Sequence, residues 1–137
     1  MARYLNVSVI LECTRLAMLN QMTFPQSLAE LAKIGVERYT ADLVRLEKTH
    51  YSACGDSLTD PLPLSDAPEI AEQFSANAVV AALRAIQQKK IDYAQFLRQI
   101  MSAGCATYWV FLKGRKAIYL GRSGESHIEN FPPKPAL

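Results

Sequence analysis

No sign of charge dominates this 137-residue chain: 15 Lys+Arg stand against 13 Asp+Glu, a net of +2. A protein devoted to a phosphate backbone concentrates basic surface, so this balance argues against nucleic acid as the main partner. The three cysteines, Cys13, Cys54 and Cys105, are odd in number and widely spaced, without a Cys-x-x-Cys. That pattern fits neither a disulfide framework nor a zinc site, and reduced thiols in a cytoplasmic protein are expected. Long apolar runs are also missing. Val7 to Leu19 is broken by Glu12 and Arg15, short of the ~20 apolar residues of a membrane span, so no membrane association and no signal peptide are expected. There is no Gly-x-Ser-x-Gly elbow. Gly121-Arg122-Ser123-Gly124 reads as a tight turn with no helix after it, so no phosphate loop and no cofactor are expected.

What the chain does have is the composition of a packed domain, half hydrophobic and 20% charged, which excludes a disordered tail protein. A single domain over residues 1–131 is expected. Pro132, Pro133 and Pro135 mark residues 132–137 as a proline-rich tail.

The most informative pattern is internal. Shifted by 69 residues, Val9–Ser57 aligns without a gap on the second half, with identities at eight of 49 positions. Identity at that level is low, so the weight lies on which positions match. Thr23-Phe24-Pro25-Gln26 and Asp92-Tyr93-Ala94-Gln95 are both capping boxes, a short polar cap with a glutamine three residues on. Leu28, Leu31 and Ile34 form a helical stripe that Leu97, Ile100 and Ala103 repeat. Gly35 and Gly104 each follow such a helix where a left-handed exit residue is needed. Tyr39 and Tyr108 match four residues further on.

These signals predict an α+β fold of two tandem, pseudo-symmetric helix–helix–β-meander units that share one core, with an antiparallel sheet covered by helices. Unit one runs over about residues 6–60, a linker over 61–74, and unit two over 75–131. Cys105–Leu112 is apolar on both faces and reads as a covered central strand. Glu37, Arg38, Asp42, Arg45, Glu47, Lys48 and His50 make unit one the more charged, which predicts its strands at the exposed edge of the sheet. Gly114 is expected at the turn position of a hairpin, and Asp66–Glu69 to cap a helical turn.

Gly104-Cys105-Ala106-Thr107-Tyr108, Lys113-Gly114-Arg115, Tyr119-x-Gly121 and Gly124-Glu125-x-x-x-Glu129-x-Phe131-Pro132 occur in that order. With Phe24, Gly35-Val36, Tyr39, Asp42, Tyr51 and Gly55, the sequence resembles the YdfO-like family of small bacterial and prophage proteins, often labelled phage envelope protein. The resemblance spans nearly the whole chain. It implies an α+β fold and brings no established activity, cofactor or catalytic residue.

Three constellations carry possible chemistry. Glu125, His127 and Glu129 alternate along the last strand, where period two places them on one face; two carboxylates and an imidazole are a candidate metal set for a small metal-dependent hydrolase. The competing reading is a solvated strand face with Ile128 turned inward. Arg115, Lys116 and Arg122 lie near Tyr108, Trp109 and Tyr119, a candidate single-stranded nucleic-acid surface. Tyr39 and Tyr108, with Asp42 and His50, are candidate lining for a ligand pocket between the units. No nucleophile–base–orienter set is evident. The sequence therefore reads as a non-enzymatic cytoplasmic binding or interaction module for a protein or small molecule held at the junction of the units, with a homodimer also open.

Overall fold

The computed structural model describes residues 5–132. Helix α1 (Val7–Met18) starts at Asn6, whose side chain accepts from the Val9 amide. Helix α2 (Phe24–Lys33) opens on the Thr23/Gln26 capping box, with both reciprocal bonds formed. Strands β1 (Val36–Asp42), β2 (Glu47–Ser52) and β3 (Ser57–Pro61) follow as a meander. The order then recurs: α3 (Ala76–Gln87), α4 (Tyr93–Ser102) with its Asp92/Gln95 capping box, β4 (Cys105–Phe111), β5 (Lys116–Gly121) and β6 (Ser126–Asn130). Each element of the first half has a counterpart of equal length 69 residues on. The same spacing relates the left-handed residues Asn20 and Lys89, Gly35 and Gly104, Leu46 and Arg115, and Gly55 and Gly124.

One antiparallel sheet results, in the order β3-β2-β1-β4-β5-β6. The seam is β1 on β4, where Tyr39 faces Val110 and Ala41 faces Tyr108. Thr40 and Thr107 bridge it, their hydroxyls 3.2 Å apart. Alternate strand residues are buried, including Tyr39, Ala41, Tyr108, Val110, Ala117 and Tyr119. Ile10, Leu31, Val79, Leu97 and Ile100 from the four helices complete the same core. The helices thus cover one face, and Tyr51, Trp109 and Phe111 stack on the other with neighbouring centroids 6.0 Å apart. No helix among the described residues is long and apolar enough to cross a membrane.

Several expectations change. The charged half is not confined to the sheet edge: each half contributes one edge strand and two interior strands, and Lys48 and His50 on β2 are 5% and 1% exposed. Strand period, not composition, turns them inward. Strand β4 is central but covered on one face only; Thr107, Trp109 and Phe111 are half-buried on the open side. Gly114 does lie in the β4–β5 turn, whose left-handed residue is the next one, Arg115. No helical turn forms at 66–69. The linker instead buries Leu62 and Leu64 and bonds to the second half, Ala71 N–H to Met101 O and Ser75 N–H to Ala103 O. Residues 133–137 of the expected proline-rich tail lie outside the described residues.

Candidate functional site

A group of polar side chains sits in the core beneath the first half of the sheet. Lys48 and Asp60 are cross-strand partners on β2 and β3, and both point to the covered face, as does His50 two residues after Lys48. Asp60 Oδ2 accepts from the Thr14 hydroxyl of α1 at 2.8 Å. Its Oδ1 lies 3.3 Å from His50 Nδ1, yet neither atom completes a hydrogen bond: they are within reach but out of line. A buried polar atom without a partner forfeits about 1–3 kcal/mol, so two together on one ion-pair geometry are unusual.

Aromatic rings enclose this group. Tyr39 stacks on His50 with centroids 5.0 Å apart. The Lys48 ammonium stands 5.3 Å from the Tyr39 centroid and 6.0 Å from that of Tyr93, a distance at which the ring face attracts a cation. The Tyr93 and Tyr108 hydroxyls hydrogen-bond to each other. Burial pushes the Tyr93 phenol up to about 12 and those of Tyr39 and Tyr108 well above their ordinary value. Burial lowers Lys48, against the opposing attraction of Asp60. His50 is also held low, chiefly by burial, with Asp60 opposing and Lys48 reinforcing.

The imidazole therefore favours its neutral form in the folded chain more than in the unfolded one, whose value is 6.5. The stability this carries is present above that pH and is lost in acid, because the unfolded ring binds the proton first. We expect stability to fall by up to about 1.4 kcal/mol per pH unit below it, until the folded ring protonates. Urea denaturation between about pH 5 and 8 should show this slope, and His50→Gln should flatten it. An equal slope in the variant would assign it elsewhere.

The group backs onto a surface groove of about 420 Å³ between α1, β3 and α4, within the usual size range of small-molecule sites. Leu11, Met18 and Ala94 line its walls, Thr14 and Asp60 its floor, and Arg98 its rim. The walls come from both halves of the chain: α1 and β3 from the first, α4 from the second. Arg15, also at the rim, is paired with Glu12. Arg98 donates to Ser65 O at 3.1 Å and has no carboxylate partner among the described residues.

Of the candidate pocket residues, Tyr39, His50 and Tyr108 do come together. Asp42 does not; it ends β1, and its carboxylate accepts from the amides of Val44 and Arg45 at 3.0 Å. The group's other members, Lys48, Asp60, Thr14 and Tyr93, escaped the sequence reading. Lys48 and His50 do alternate on a strand, which is a signal for a shared face, but nothing local says that this face is covered.

The candidate metal residues are spread over different tasks. His127 and Glu129 share the covered face, and Nε2 and Oε1 are 3.4 Å apart. Glu129 is engaged by Arg84 and Gln87 of α3, and Arg84 holds its carboxyl below the usual range. Glu125 precedes the strand and accepts from the Ser123 amide at 2.9 Å. Ile128 is 50% exposed on the open face, not turned inward. Among the described residues, no three His, Cys, Asp or Glu side chains stand together as a metal set.

The basic candidates do not gather either. Arg115 and Lys116 lie at one end of β5 and Arg122 beyond the other, about 19–24 Å apart along an extended strand. Arg115 donates to Pro132 O at 2.7 Å. Tyr108 and Tyr119 are buried on the face opposite Trp109, so no single surface presents all the rings and charges.

Comparison with known proteins gives a consistent picture. Uncharacterised proteins of Mycobacterium bovis and Mycobacterium tuberculosis are 28% identical over 108 residues, covering 79% of this chain and 66% of their own length. The model of the family described as "Protein of unknown function (DUF1398)" matches residues 17–130, from the end of α1 through β6. That span takes in both helix pairs' sheet and all of the buried polar group except Thr14, and this chain belongs to the DUF1398 family.

Proposed function

We propose that this protein is a non-enzymatic binding module that holds a small molecule in the groove between its two halves. The observation that carries the reading is the groove itself, about 420 Å³ with walls from both halves, and Arg98 at its rim, bonded to Ser65 O at 3.1 Å and without a carboxylate partner among the described residues. A guanidinium fixed in this way offers a ligand a charge-assisted partner. The reading treats the chain as two copies of one unit, of which only the first keeps the polar group. The positions 69 residues after Lys48, His50 and Asp60 hold Ala117, Tyr119 and Glu129, so the second copy has an apolar interior at the first two of them. A cytoplasmic setting, suggested by the widely spaced cysteines and the broken apolar run at Val7–Leu19, and a YdfO-like, prophage-associated identity, suggested by the sequence resemblance, belong to the same proposal.

The test is to plug the groove. Ala94→Trp places a large ring on the α4 wall, at a half-buried position. A panel of metabolites screened by thermal shift should include compounds that stabilise the wild type and leave the variant unmoved. Compounds that shift both proteins alike, or steady turnover of any of them, would overturn the reading.

A further inference from the structure

The open face of the sheet, opposite the helices, carries a pattern of its own. Cross-strand register sets it out in three rows. The middle row runs Thr59, Thr49, Thr40, Trp109, Ile118, Ile128 from edge to edge, threonines on the first half and large apolar side chains on the second. The row at one end of the strands holds Arg38, Phe111 and Lys116; the row at the other holds Glu47, Asp42 and Leu120. Arg38 also pairs with Glu37, and Glu47 with Arg45. Asp42 anchors the turn after β1 through one oxygen, Oδ1. An antiparallel sheet with one solvated face ordinarily keeps that face polar, and the second half of this one is not. Its two cations and two carboxylates cancel, so the face has no excess charge for a polyanion. They are divided end from end, however, which is a pattern that a second copy can match.

We propose that the open face is a homodimer seam, in which two copies pack sheet on sheet about a two-fold axis that lies in the interface and runs across the strands. That operation lays each strand over its own copy, reversed end to end. The middle row then meets itself: threonine on threonine, and Trp109, Ile118 and Ile128 on their counterparts. Arg38 of one copy comes over Asp42 of the other, twice. The alternative axis, along the strands, would set the threonine half on the apolar half and leave like-charged ends together. Six strands about 4.8 Å apart and about 20 Å long present roughly 500 Å² in plan. A pair buries about 1,000 Å², the low end of a specific interface, so the dimer should be a micromolar one.

Sedimentation equilibrium across the micromolar range should show the 15.2 kDa chain passing to twice that mass. Trp109 is the only tryptophan and lies in the seam, so its emission should shift to the blue over the same concentrations. Arg38→Glu alone and Asp42→Lys alone should each weaken the dimer at least about tenfold, because like charges then face each other. Mixed in equal amounts, the two variants should dimerise nearly as the wild type does. In the mixed dimer one contact is the native Arg38–Asp42 pair, and the other is that pair with its charges exchanged. Ile128→Lys, at a position 50% exposed, sets two cations against each other and should weaken the dimer by a similar factor; it decides the matter if circular dichroism shows a charge variant unfolded. A chain that stays monomeric throughout, a dimer whose formation leaves Trp109 emission unmoved, full dimerisation by Ile128→Lys, or no recovery on mixing two folded charge variants would overturn the proposal. If the chain stays monomeric and oligo(dT) quenches Trp109, the face belongs to nucleic acid and the dimer falls.

Discussion

Asp60→Ala should lower stability by about 3–5 kcal/mol, the range found when one member of a buried charge pair is removed. For a chain of this length that is a drop of roughly 10–20 °C in melting temperature. The loss has three sources. Thr14 loses its acceptor, Lys48 loses the carboxylate whose charge offsets its burial, and a void is left between α1 and β3. Lys48 can relieve part of the cost by shedding its proton, so the deficit should shrink as pH rises toward 10.5, where the unfolded lysine also deprotonates. Lys48→Met alone should also destabilise, because it strips the cation from Asp60. The double variant Lys48→Met/Asp60→Leu should recover much of the loss, since a buried pair replaced by apolar groups of similar volume is often neutral or better. Denaturant titration of the four proteins measures the coupling. Strictly additive losses would show that the two side chains do not interact.

The second large effect is expected at Gly104. Gly35 and Gly104 end equivalent helices with φ of +88° and +92°, so alanine at either carries the left-handed penalty of about 1–2 kcal/mol. Their surroundings differ. A Cβ on Gly35 meets nothing within 4 Å, whereas one on Gly104 would lie 2.3 Å from Gln73 O and 2.8 Å from Phe74 Cα. Backbone atoms cannot swing aside as a side chain can, and the linker here is pinned by the Ser75–Ala103 hydrogen bond. Gly104→Ala should therefore cost about 3–5 kcal/mol once overpacking is added, against the smaller loss at Gly35. Equal losses in chemical denaturation would mean that the linker moves freely over this turn.

Much of the fold was legible because its signals are local. Caps, exit glycines and helical stripes act within one turn, so Thr23, Gln26, Asp92, Gln95, Gly35 and Gly104 could be read residue by residue. Strand order and the covered face are not local. Whether Lys48 and His50 meet water or core depends on helices that pack over them from elsewhere in the chain, and their charge favoured the exposed reading. The site was legible only in fragments for the same reason. Tyr39 and Tyr108 stood out through their matching positions, but Asp60 lies across a hairpin, Thr14 is 46 residues from Asp60, and Tyr93 is a helix residue of the other half. The metal reading placed His127 and Glu129 on one strand face correctly; what it lacked was α3, whose Arg84 and Gln87 take up the Glu129 carboxylate.

The seam between β1 and β4 also governs the order in which the chain assembles. Its paired residues stand 65 to 73 positions apart in the chain, whereas every other strand pair is a hairpin of near neighbours. The entropy of closing so long a loop is lost before any contact across the seam is gained. The hairpins and helix pairs can form early and cheaply, while the groove, whose walls come from opposite sides of that seam, exists only after the last and slowest closure.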